Sequence, residues 1–365
     1  MANNNDKKVL NVPALRFPEF TGEWENITIR EACSEFQSGK NIKAEMINDH
    51  GLYPVYGGNG LRGFTGSYNH DGDYILIGRQ GALCGNVRKV TGKTYVTEHA
   101  IAVCASKEHE TTFLQHLFQK MRLGQYSDQS AQPGLAVNKL LRLNINVPSK
   151  IEQGKIAKIL SLIDERITTQ NKIIEDLKKL KSAISLKMLH SDSWEQFRIK
   201  DIAIIGRGRV ISSVEISQQK NPTYPVYSSQ TSNEGIMGYL DDYMFEGEYI
   251  SWTTDGANAG TVFYRNGKFN CTNVCGLLKL KKGFDTHFVS LVLAEATKKY
   301  VSVNLANPKL MNNTMGNIQI RLPKLEEQKR ISIVFRRLHE LLAIHNNLLT
   351  EYSKQKQYLL SQMFI

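Results

Sequence analysis

The chain contains Tyr53-Pro54-Val55-Tyr56 and repeats it as Tyr224-Pro225-Val226-Tyr227. The repetition extends outward from this tetrapeptide in both directions. Trp24-Glu25 returns as Trp194-Glu195, Gly72-Asp73-Tyr74-Ile75 as Gly247-Glu248-Tyr249-Ile250, and Val147-Pro148 as Leu322-Pro323. The offset grows from 170 to 175 residues across the middle of the repeat and then stays constant. This pattern predicts one structural module built twice, with its insertions in the middle.

Composition is compatible with two packed domains, since 41% of the 365 residues are hydrophobic. The formal net charge is +11. A cationic surface binds polyanions, because neutralising phosphates releases condensed counterions. The charge therefore favours a nucleic-acid partner.

The sequence indicates a cytoplasmic protein. Residues Met1 to Lys8 lead into no apolar run, so we expect no signal peptide. No stretch approaches the roughly 20 apolar residues of a membrane-spanning helix, so we expect no membrane partner. The five cysteines include no CxxC pair, and their odd number argues against a disulfide framework.

Each repeat divides into a mixed segment of about 130 residues and a tail of about 40. In the first mixed segment, Tyr74 to Ile77, Gly85 to Val90 and Ala100 to Cys104 are short apolar or alternating runs, typical of strands. Phe113 to Phe118 and its counterpart Phe288 to Leu293 contain no helix breaker and predict one helix in each module. The expected fold class is α+β, with mixed modules at 1–150 and 191–324 and long helices at 151–190 and 325–365.

The tails carry a heptad pattern, because apolar residues recur at alternating steps of four and three. In the first tail these positions are Ile156, Leu160, Ile163, Ile167, Gln170, Ile174, Leu177, Lys181, Ile184 and Met188. Moved by 175, they are Ile331, Phe335, Leu338, Leu342, His345, Leu349, Tyr352, Lys356, Leu359 and Met363. The two polar interruptions recur at the same steps, and His345 at the level of Gln170 predicts a layer that sets the register.

Matching seams predict that the two helices pair as an intramolecular coiled coil; alternatively, each stripe packs only on its own module. The links into and out of the second module, at Ser191-Asp192-Ser193 and Lys324-Leu325, are both tight. If the ends of that module lie close together, the helices run antiparallel. The modules would then lie at opposite ends of a rod, related by a pseudo-twofold axis.

Paired glycines mark a turn in each module: Gly81 and Gly85 recur as Gly256 and Gly260. A phosphate-binding loop would be followed by a helix, whereas a strand-like run follows here, so a tight turn or bulge is favoured. Arg79 and Gln80 in one copy are replaced by Thr254 and Asp255 in the other.

A shared turn that carries different polar side chains is suited to two modules that recognise two DNA sequences. Arginine hydrogen-bonds to guanine, glutamine hydrogen-bonds to adenine, and aspartate accepts a hydrogen bond from cytosine. Drift on a solvated loop is the alternative. The same two interpretations, contact with DNA or drift, apply to Gly57 to Arg62 and to Ser228 to Asn233, which follow the shared tetrapeptide. They also apply to the basic run Gly206-Arg207-Gly208-Arg209. The residues predicted to contact DNA are Asn59, Arg62, Arg79, Gln80, Arg207, Arg209, Ser229, Gln230, Asn233, Thr254, Asp255 and Asn258.

Catalytic signatures are missing from the sequence, which has no GxGxxG after a strand, no P-loop, no HExxH and no GxSxG. Asn221-Pro222-Thr223-Tyr224 lacks the second proline of a methyltransferase Asn-Pro-Pro-aromatic loop. His99, matched with Asn273, and the pair Cys271 and Cys275 have no partners for a metal site and are expected to be structural.

Taken together, these residues resemble the specificity subunit of type I restriction-modification systems. The resemblance covers nearly the whole chain. It rests on the segment from Val12 to Phe20 leading into Trp24-Glu25, on the doubled Tyr-Pro-Val-Tyr, and on Pro-x-x-Glu-Gln before each long helix. In the first copy, Ser149-Lys150-Ile151 departs slightly from the usual pattern.

The resemblance implies that each mixed segment is a target recognition domain that reads one half of a bipartite, asymmetric site on double-stranded DNA. The paired helices would set the gap between the halves and bind two modification (methyltransferase) subunits. S-adenosylmethionine, ATP and Mg2+ would belong to the modification and restriction subunits, so this chain would bind no cofactor and catalyse nothing. A stand-alone DNA methyltransferase or endonuclease and a coiled-coil protein-interaction scaffold are the alternative functions.

Overall fold

A computed structural model of the chain describes residues 10–128, 134–302 and 307–365. The amino-terminal residues on which we base the expectation of no signal peptide lie outside these ranges. The chain forms two compact units. Unit 1 consists of Met1–Lys172 with Asn346–Ile365, and unit 2 is the continuous segment Ile173–His345.

Unit 1 contains the first copy of the module, and the long helix that follows this copy in the chain continues into unit 2 beyond Lys172. In chain order its elements are β1 (Glu25–Thr28), α1 (Ile29–Ala32), β2 (Cys33–Ser38), β3 (Tyr53–Gly57), β4 (Gly60–Thr65), β5 (Asp73–Gly78), β6 (Val87–Thr91), β7 (Tyr95–Val96), β8 (Ala100–Ala105), α2 (Thr111–Met121), α3 (Val137–Leu140), β9 (Asn144–Val147) and α4 (Lys150–Met188). An antiparallel sheet has the order β2-β8-β5-β6, and a second sheet has the order β4-β3-β7, in which β3 and β7 are parallel. β1 pairs with β9.

The centre of unit 1 is β5, which is apolar along most of its length because both of its faces are covered. Ile75 and Ile77 face a core that α2 completes with Phe113 and Phe118. Leu76 faces a smaller cluster on the other side.

Unit 2 contains the second copy, and the long helix that follows this copy in the chain continues into unit 1 beyond His345. Its elements are β10 (Glu195–Arg198), α5 (Ile199–Ile202), β11 (Ala203–Arg207), α6 (Ser213–Ser217), β12 (Tyr224–Tyr227), β13 (Ile236–Leu240), β14 (Phe245–Glu246), β15 (Tyr249–Thr253), β16 (Val262–Arg265), β17 (Lys268–Cys271), β18 (Cys275–Leu280), α7 (Thr286–Ala296), α8 (Asn312–Asn317), β19 (Gln319–Leu322) and α9 (Leu325–Gln362). The sheet orders are β11-β18-β15-β16 and β13-β12-β17-β14, and β10 pairs with β19. The topology of unit 1 is therefore repeated, with β14 and α6 added.

The predicted strands and the predicted helix of each module are confirmed as β5, β6, β8, α2 and α7. β6 begins at Val87 rather than at Gly85, because Gly85 lies in the preceding turn. The modules also contain short helices of four to six residues (α1, α3, α5, α6 and α8), whereas the sequence predicted one helix per module. Such helices span less than two turns and leave no helical period in the sequence.

Four of the five residues by which the offset grows lie in one turn. In unit 1, Val55 pairs with Gly63 across the turn between β3 and β4, and in unit 2 Val226 pairs with Gly238 across the turn between β12 and β13. The second turn is therefore longer by four residues, which is the growth of the offset in this region. Arg62 consequently has its ladder counterpart at Met237 rather than at Asn233.

The long helices α4 and α9 pack together within each unit, and in both units they run antiparallel. In unit 1, Ile156 and Leu160 near the start of α4 share a core with Leu360 and Met363 near the end of α9. In unit 2, Leu189 just after α4 shares a core with Ile331 and Phe335 near the start of α9. All twenty predicted seam positions are buried or half-buried.

The second polar interruption of the seam differs between the two units. In unit 1, Lys356 Nζ lies 2.6 Å from Asp164 Oδ1. The counterparts in unit 2 are Lys181 and His339, and burial lowers the pKa of both. Gln170 and His345 are both half-buried, and the register-setting layer that they predict stays a prediction.

The repeated Pro-x-x-Glu-Gln motif joins each long helix to its module. Gln153 donates through Nε2 to the Pro148 carbonyl at 2.9 Å and accepts from Glu110 N at 2.9 Å, at the start of α2. Gln328 makes the same two bonds to Pro323 O and Asp285 N, at 2.8 and 2.9 Å, at the start of α7. One buried glutamine therefore satisfies an otherwise unpaired amide at the start of the module helix.

All five cysteines are free thiols. Among the described residues, no helix combines the length and the apolar character needed to cross a bilayer.

Candidate nucleic-acid interface

The turn between β3 and β4 carries Asn59 at its exposed tip. Gly57 pairs with Gly60 across it, which leaves Gly58 and Asn59 as a two-residue turn. Gly60 has φ +106°, a conformation that favours glycine. Arg62 follows on β4 and is exposed.

The turn between β5 and β6 carries Arg79 and Gln80. Gly81 and Gly85 both have φ +83°, and Gly85 N donates to Gly78 O at 2.7 Å. In unit 2, Gly256 and Gly260 have φ +89° and +82°, and Gly260 N donates to Thr253 O at 2.8 Å. A strand follows each turn, so the prediction of a tight turn is confirmed.

In unit 1 the two turns lie against each other. A Cβ built on Gly58 would lie 3.2 Å from the Gln80 carbonyl and 2.8 Å from the His99 carbonyl. Gln80 Oε1 is 3.0 Å from His99 Nδ1, and Arg79 Nη1 is 3.5 Å from the Glu98 carbonyl. Asn59, Arg79 and Gln80 are thereby brought together at one edge of the unit.

Two further side chains of this edge were not predicted from the sequence. Arg88 on β6 is exposed and lies against Gly60, where a Cβ would approach its Nη1 to 2.7 Å. His99 orients the side chain of Gln80. The residue of unit 2 equivalent to His99 is Val274, because Arg79 N donates to the His99 carbonyl and Thr254 N donates to the Val274 carbonyl. The match of His99 with Asn273 was wrong by one residue. An exposed arginine in the alternating pattern of β6 was the available signal for Arg88.

In unit 2 the longer turn forms what we call the reading loop, residues 228–235. Ser228 N donates to Gly235 O at 2.8 Å and closes it. Asn233, Glu234 and Gly235 have φ of 48°, 52° and 86°, three consecutive residues in the left-handed region. Of the predicted residues, Asn233 is exposed and Ser229 and Gln230 are half-buried. The Gln230 amide donates to the Ile236 carbonyl.

Arg265 supports the reading loop from beneath, and sequence reasoning did not identify it. Its side chain is 4% exposed, and its guanidinium carbon lies 3.5 Å from the centre of the Tyr227 ring and 4.4 Å from that of Phe263. Nη2 donates to the Glu234 carbonyl at 2.8 Å, and Nε donates to Ser251 Oγ at 3.0 Å. Burial lowers the pKa of this guanidinium. The cation therefore stabilises the left-handed backbone of the loop.

Three residues of the turn between β15 and β16, Thr254, Asp255 and Asn258, were predicted to contact DNA, and they differ in burial. Thr254 is fully buried, and its hydroxyl lies 2.9 Å from Asp255 Oδ2 and 3.0 Å from the Val274 carbonyl. Its side chain supports the turn from inside. Asp255 is half-buried and Asn258 is exposed.

The two arginines of the basic run are engaged by their own unit. Arg207 Nε donates to Asn312 Oδ1 at 2.9 Å. Arg209 forms a bidentate ion pair with Glu215, with Nη1 2.9 Å from Oε2, and this contact lowers the pKa of Glu215. Glu215 therefore offsets the charge that Arg209 would offer to a phosphate.

The turns after β5 and β15 share one backbone frame, and the two units differ in the polar side chains that they present. Arginine, glutamine and asparagine donors dominate in unit 1, while unit 2 presents an aspartate acceptor with two asparagines. These groups are suited to hydrogen-bonding base edges in the major groove. Within the ranges described above, no group of three or more His, Cys, Asp or Glu side chains could hold a metal ion.

Comparison with known proteins assigns the chain to the DNA-specificity proteins of restriction-modification systems. The sequence profile of the type I restriction modification DNA specificity domain matches residues 21–179 and again residues 191–352. The chain therefore belongs to this family, and the domain occurs twice along it.

Individual relatives carry the same name. A candidate type I specificity subunit of Mycoplasma pneumoniae is 38% identical over 212 residues, 55% of this chain and 76% of that protein. The specificity subunit of the Escherichia coli type I restriction enzyme EcoprrI is 42% identical over 165 residues, 44% of this chain and 40% of that protein. The crystal structure of a type I restriction-modification S subunit from M. genitalium has the same fold, with a TM-score of 0.80 over 97% of this chain and 99% of that one, at 18% identity.

Proposed function

We propose that this chain is the sequence-reading subunit of a type I restriction-modification assembly. Each unit reads one half of a bipartite, asymmetric site on double-stranded DNA. The observation that carries the proposal is the pair of equivalent turns, which share their glycines and hydrogen bonds but present different polar side chains. The net charge of +11 supports binding to the phosphate backbone.

Base recognition would use the exposed and half-buried polar groups of the two units. In unit 1, Arg79 and Gln80 can pair with guanine and adenine, with Asn59 and Arg62 beside them. In unit 2, Asp255 can accept from cytosine, and Asn233 and Asn258 extend the reading surface. Arg209 is exposed but is paired with Glu215 of its own unit, and Thr254 is a buried support.

The helices α4 and α9 would act as the ruler and as the docking surface for partners. They contain 39 and 38 residues, and each contributes to both units. Their outward faces expose apolar side chains, among them Leu162, Leu186, Ile333 and Ile344. These exposed side chains would contribute to the docking of two modification subunits and of restriction subunits.

This chain would contribute recognition and no chemistry. S-adenosylmethionine would be bound by the modification subunits, and ATP and Mg2+ by the restriction subunits. The absent catalytic motifs support this division.

A domain exchange tests the proposal. Residues 194–324 are replaced by the matching segment of another specificity subunit, and both proteins are combined with modification subunits. Mapping of methylated adenines should show one changed half-site and one unchanged half-site, and the chain alone should transfer no methyl group. Changes in both halves, or turnover without partners, would contradict the proposed function.

A further inference from the structure

Unit 2 contains an open groove of about 1000 Å³ where the chain leaves α4 and α9 begins. Its lining includes Lys187, Trp194, Phe284, Pro323, Glu327 and Arg330. Apolar walls with a carboxylate and cations at the edge suit an extended peptide with an aromatic and a charged side chain.

The equivalent place in unit 1 is filled by the chain itself. Nε and Nη2 of Arg16 donate to Oε1 and Oε2 of Glu152, at 2.8 Å each. The side chains of this ion pair are 15% and 1% exposed, so it is a desolvated, bidentate contact.

The residues around Arg16 complete this contact. Leu15 N donates to the Gln362 carbonyl at 2.9 Å, near the end of α9. The Lys155 ammonium lies 5.9 Å from the centre of the Phe17 ring and 5.4 Å from that of Phe20, and it also pairs with Glu19. Phe17 packs against the core of the unit.

Each residue that receives this segment in unit 1 has a counterpart that lines the groove in unit 2. By the repeat offsets, Glu152 corresponds to Glu327, Lys155 to Arg330, Gln362 to Lys187, and Trp24 to Trp194. Trp24 is 3% exposed, whereas Trp194 is only half-buried and Glu327 is exposed.

The groove is open because unit 2 has no segment equivalent to residues 10–20. Residues 189–193 connect the end of α4 directly to Trp194 and β10. The receiving surface is therefore duplicated, and the segment that it receives is not.

We propose that the groove binds a peptide segment of a partner subunit in which an arginine is followed by an aromatic residue, as in Arg16-Phe17. Residues 1–9 of this chain cannot supply that chemistry, since they contain no arginine and no aromatic residue. Residues 15–17 of a second copy are already bound within their own unit 1. The proposal rests on the proposed function only for the identity of the partner, as a subunit of the same assembly.

A peptide titration tests the groove without DNA. A labelled peptide with the sequence of residues 10–21 is added to the full chain, and binding is followed by fluorescence anisotropy. We expect saturable binding that weakens about 30-fold with Glu327→Gln, because one partner of a buried, hydrogen-bonded charge pair is lost. A peptide with Arg16→Ala should lose affinity to a similar extent.

Glu326→Gln is the matched control, since it removes the same charge from the neighbouring exposed residue, which does not line the groove. It should leave peptide affinity unchanged. No binding, or equal binding to the Glu327→Gln protein, would refute the proposed site. Peptide binding by a chain that fails to recognise DNA would leave the groove assignment intact and count only against the proposed function.

Cross-linking in the assembled complex tests the partner. A photoreactive benzoylphenylalanine at the exposed groove residue Lys324 should form an adduct with another subunit, within a segment that contains arginine next to an aromatic residue. An adduct only with residues 10–20 of a second copy, or no adduct in the complete assembly, would overturn the partner assignment.

Discussion

Replacing Arg265 with methionine should loosen the reading loop and relax recognition of one half-site only. Methionine preserves an unbranched apolar side chain between the rings of Tyr227 and Phe263. It removes the bonds to the Glu234 carbonyl and to Ser251 Oγ, together with the cation–π contact at 3.5 Å.

The magnitude follows from what these contacts stabilise. Each unsatisfied buried polar group costs about 1–3 kcal/mol, and the cation–π contact adds about 1–2 kcal/mol. The left-handed conformations of Asn233 and Glu234 also require support from their surroundings. If about 2 kcal/mol of the loss disfavours the ordered loop, DNA affinity at that half-site falls by up to ~30-fold, because only the ordered fraction binds.

The assay uses the chain assembled with its modification subunits and a panel of DNAs with single base changes in either half-site. Arg265→Met should reduce discrimination in one half and leave the other unchanged. The control is Arg88→Met, which changes an exposed arginine of unit 1 and should affect only the other half. Equal losses in both halves, or full discrimination by the Arg265→Met protein, would refute the role of Arg265.

Three further predictions concern the helices and the histidines. Deleting residues 167–173 together with 342–348 keeps the heptad phase and shortens each helix by ~10.5 Å. The preferred gap between half-sites should therefore shrink by about three base pairs. Methylation of a panel of DNAs that differ only in gap length measures this, and a preference for the original gap would exclude the helices as the ruler. Burial lowers the pKa of His116, His287 and His339 to about 4, below the ordinary value of 6.5. At pH values between 4 and 6.5 the unfolded chain binds protons more readily than the folded chain. The free energy of unfolding should therefore fall as the pH drops from 6.5 toward 4, by about 2 kcal/mol per histidine at pH 5. Urea unfolding at pH 7 and pH 5 measures this, and equal midpoints would contradict it. Gln328→Ala should destabilise unit 2 by about 2–4 kcal/mol in urea unfolding, because Asp285 N and Pro323 O lose their hydrogen-bond partner. The control Gln357→Ala changes an exposed glutamine and should have little effect on the same unfolding curves.

The repeat and the heptad seam predicted much of the fold. β5 and α2 were predictable because each is a run of suitable residues without a breaker, and the seam positions are buried because period and burial are linked in a paired helix. Short helices such as α6 were not predictable, because five residues are too few to show a period.

The candidate site was less predictable, since tertiary contacts decide which loop side chains are available to a ligand. Arg209 and Asn233 are both exposed polar residues near glycines, yet Arg209 is held in an ion pair with Glu215, whereas Asn233 lies in the left-handed backbone of the reading loop. The support of the reading loop by Arg265 depends on residues 14 and 31 positions earlier in the chain, which no local pattern connects. The predicted bounds of the two modules and of the two long helices stay predictions. The division into compact units is a different one, since it falls within both long helices.

The composition of unit 1 has a consequence for how the chain folds during synthesis. Its core includes Leu360, Met363 and Phe364, and Leu15 is bonded to Gln362. Unit 2 is a continuous segment that ends at His345. The ribosome therefore produces all of unit 2 before it produces the residues that close unit 1. The first module to be translated is the last to be completed, and until then part of its apolar core lacks its covering residues, a state in which folding intermediates are prone to aggregation.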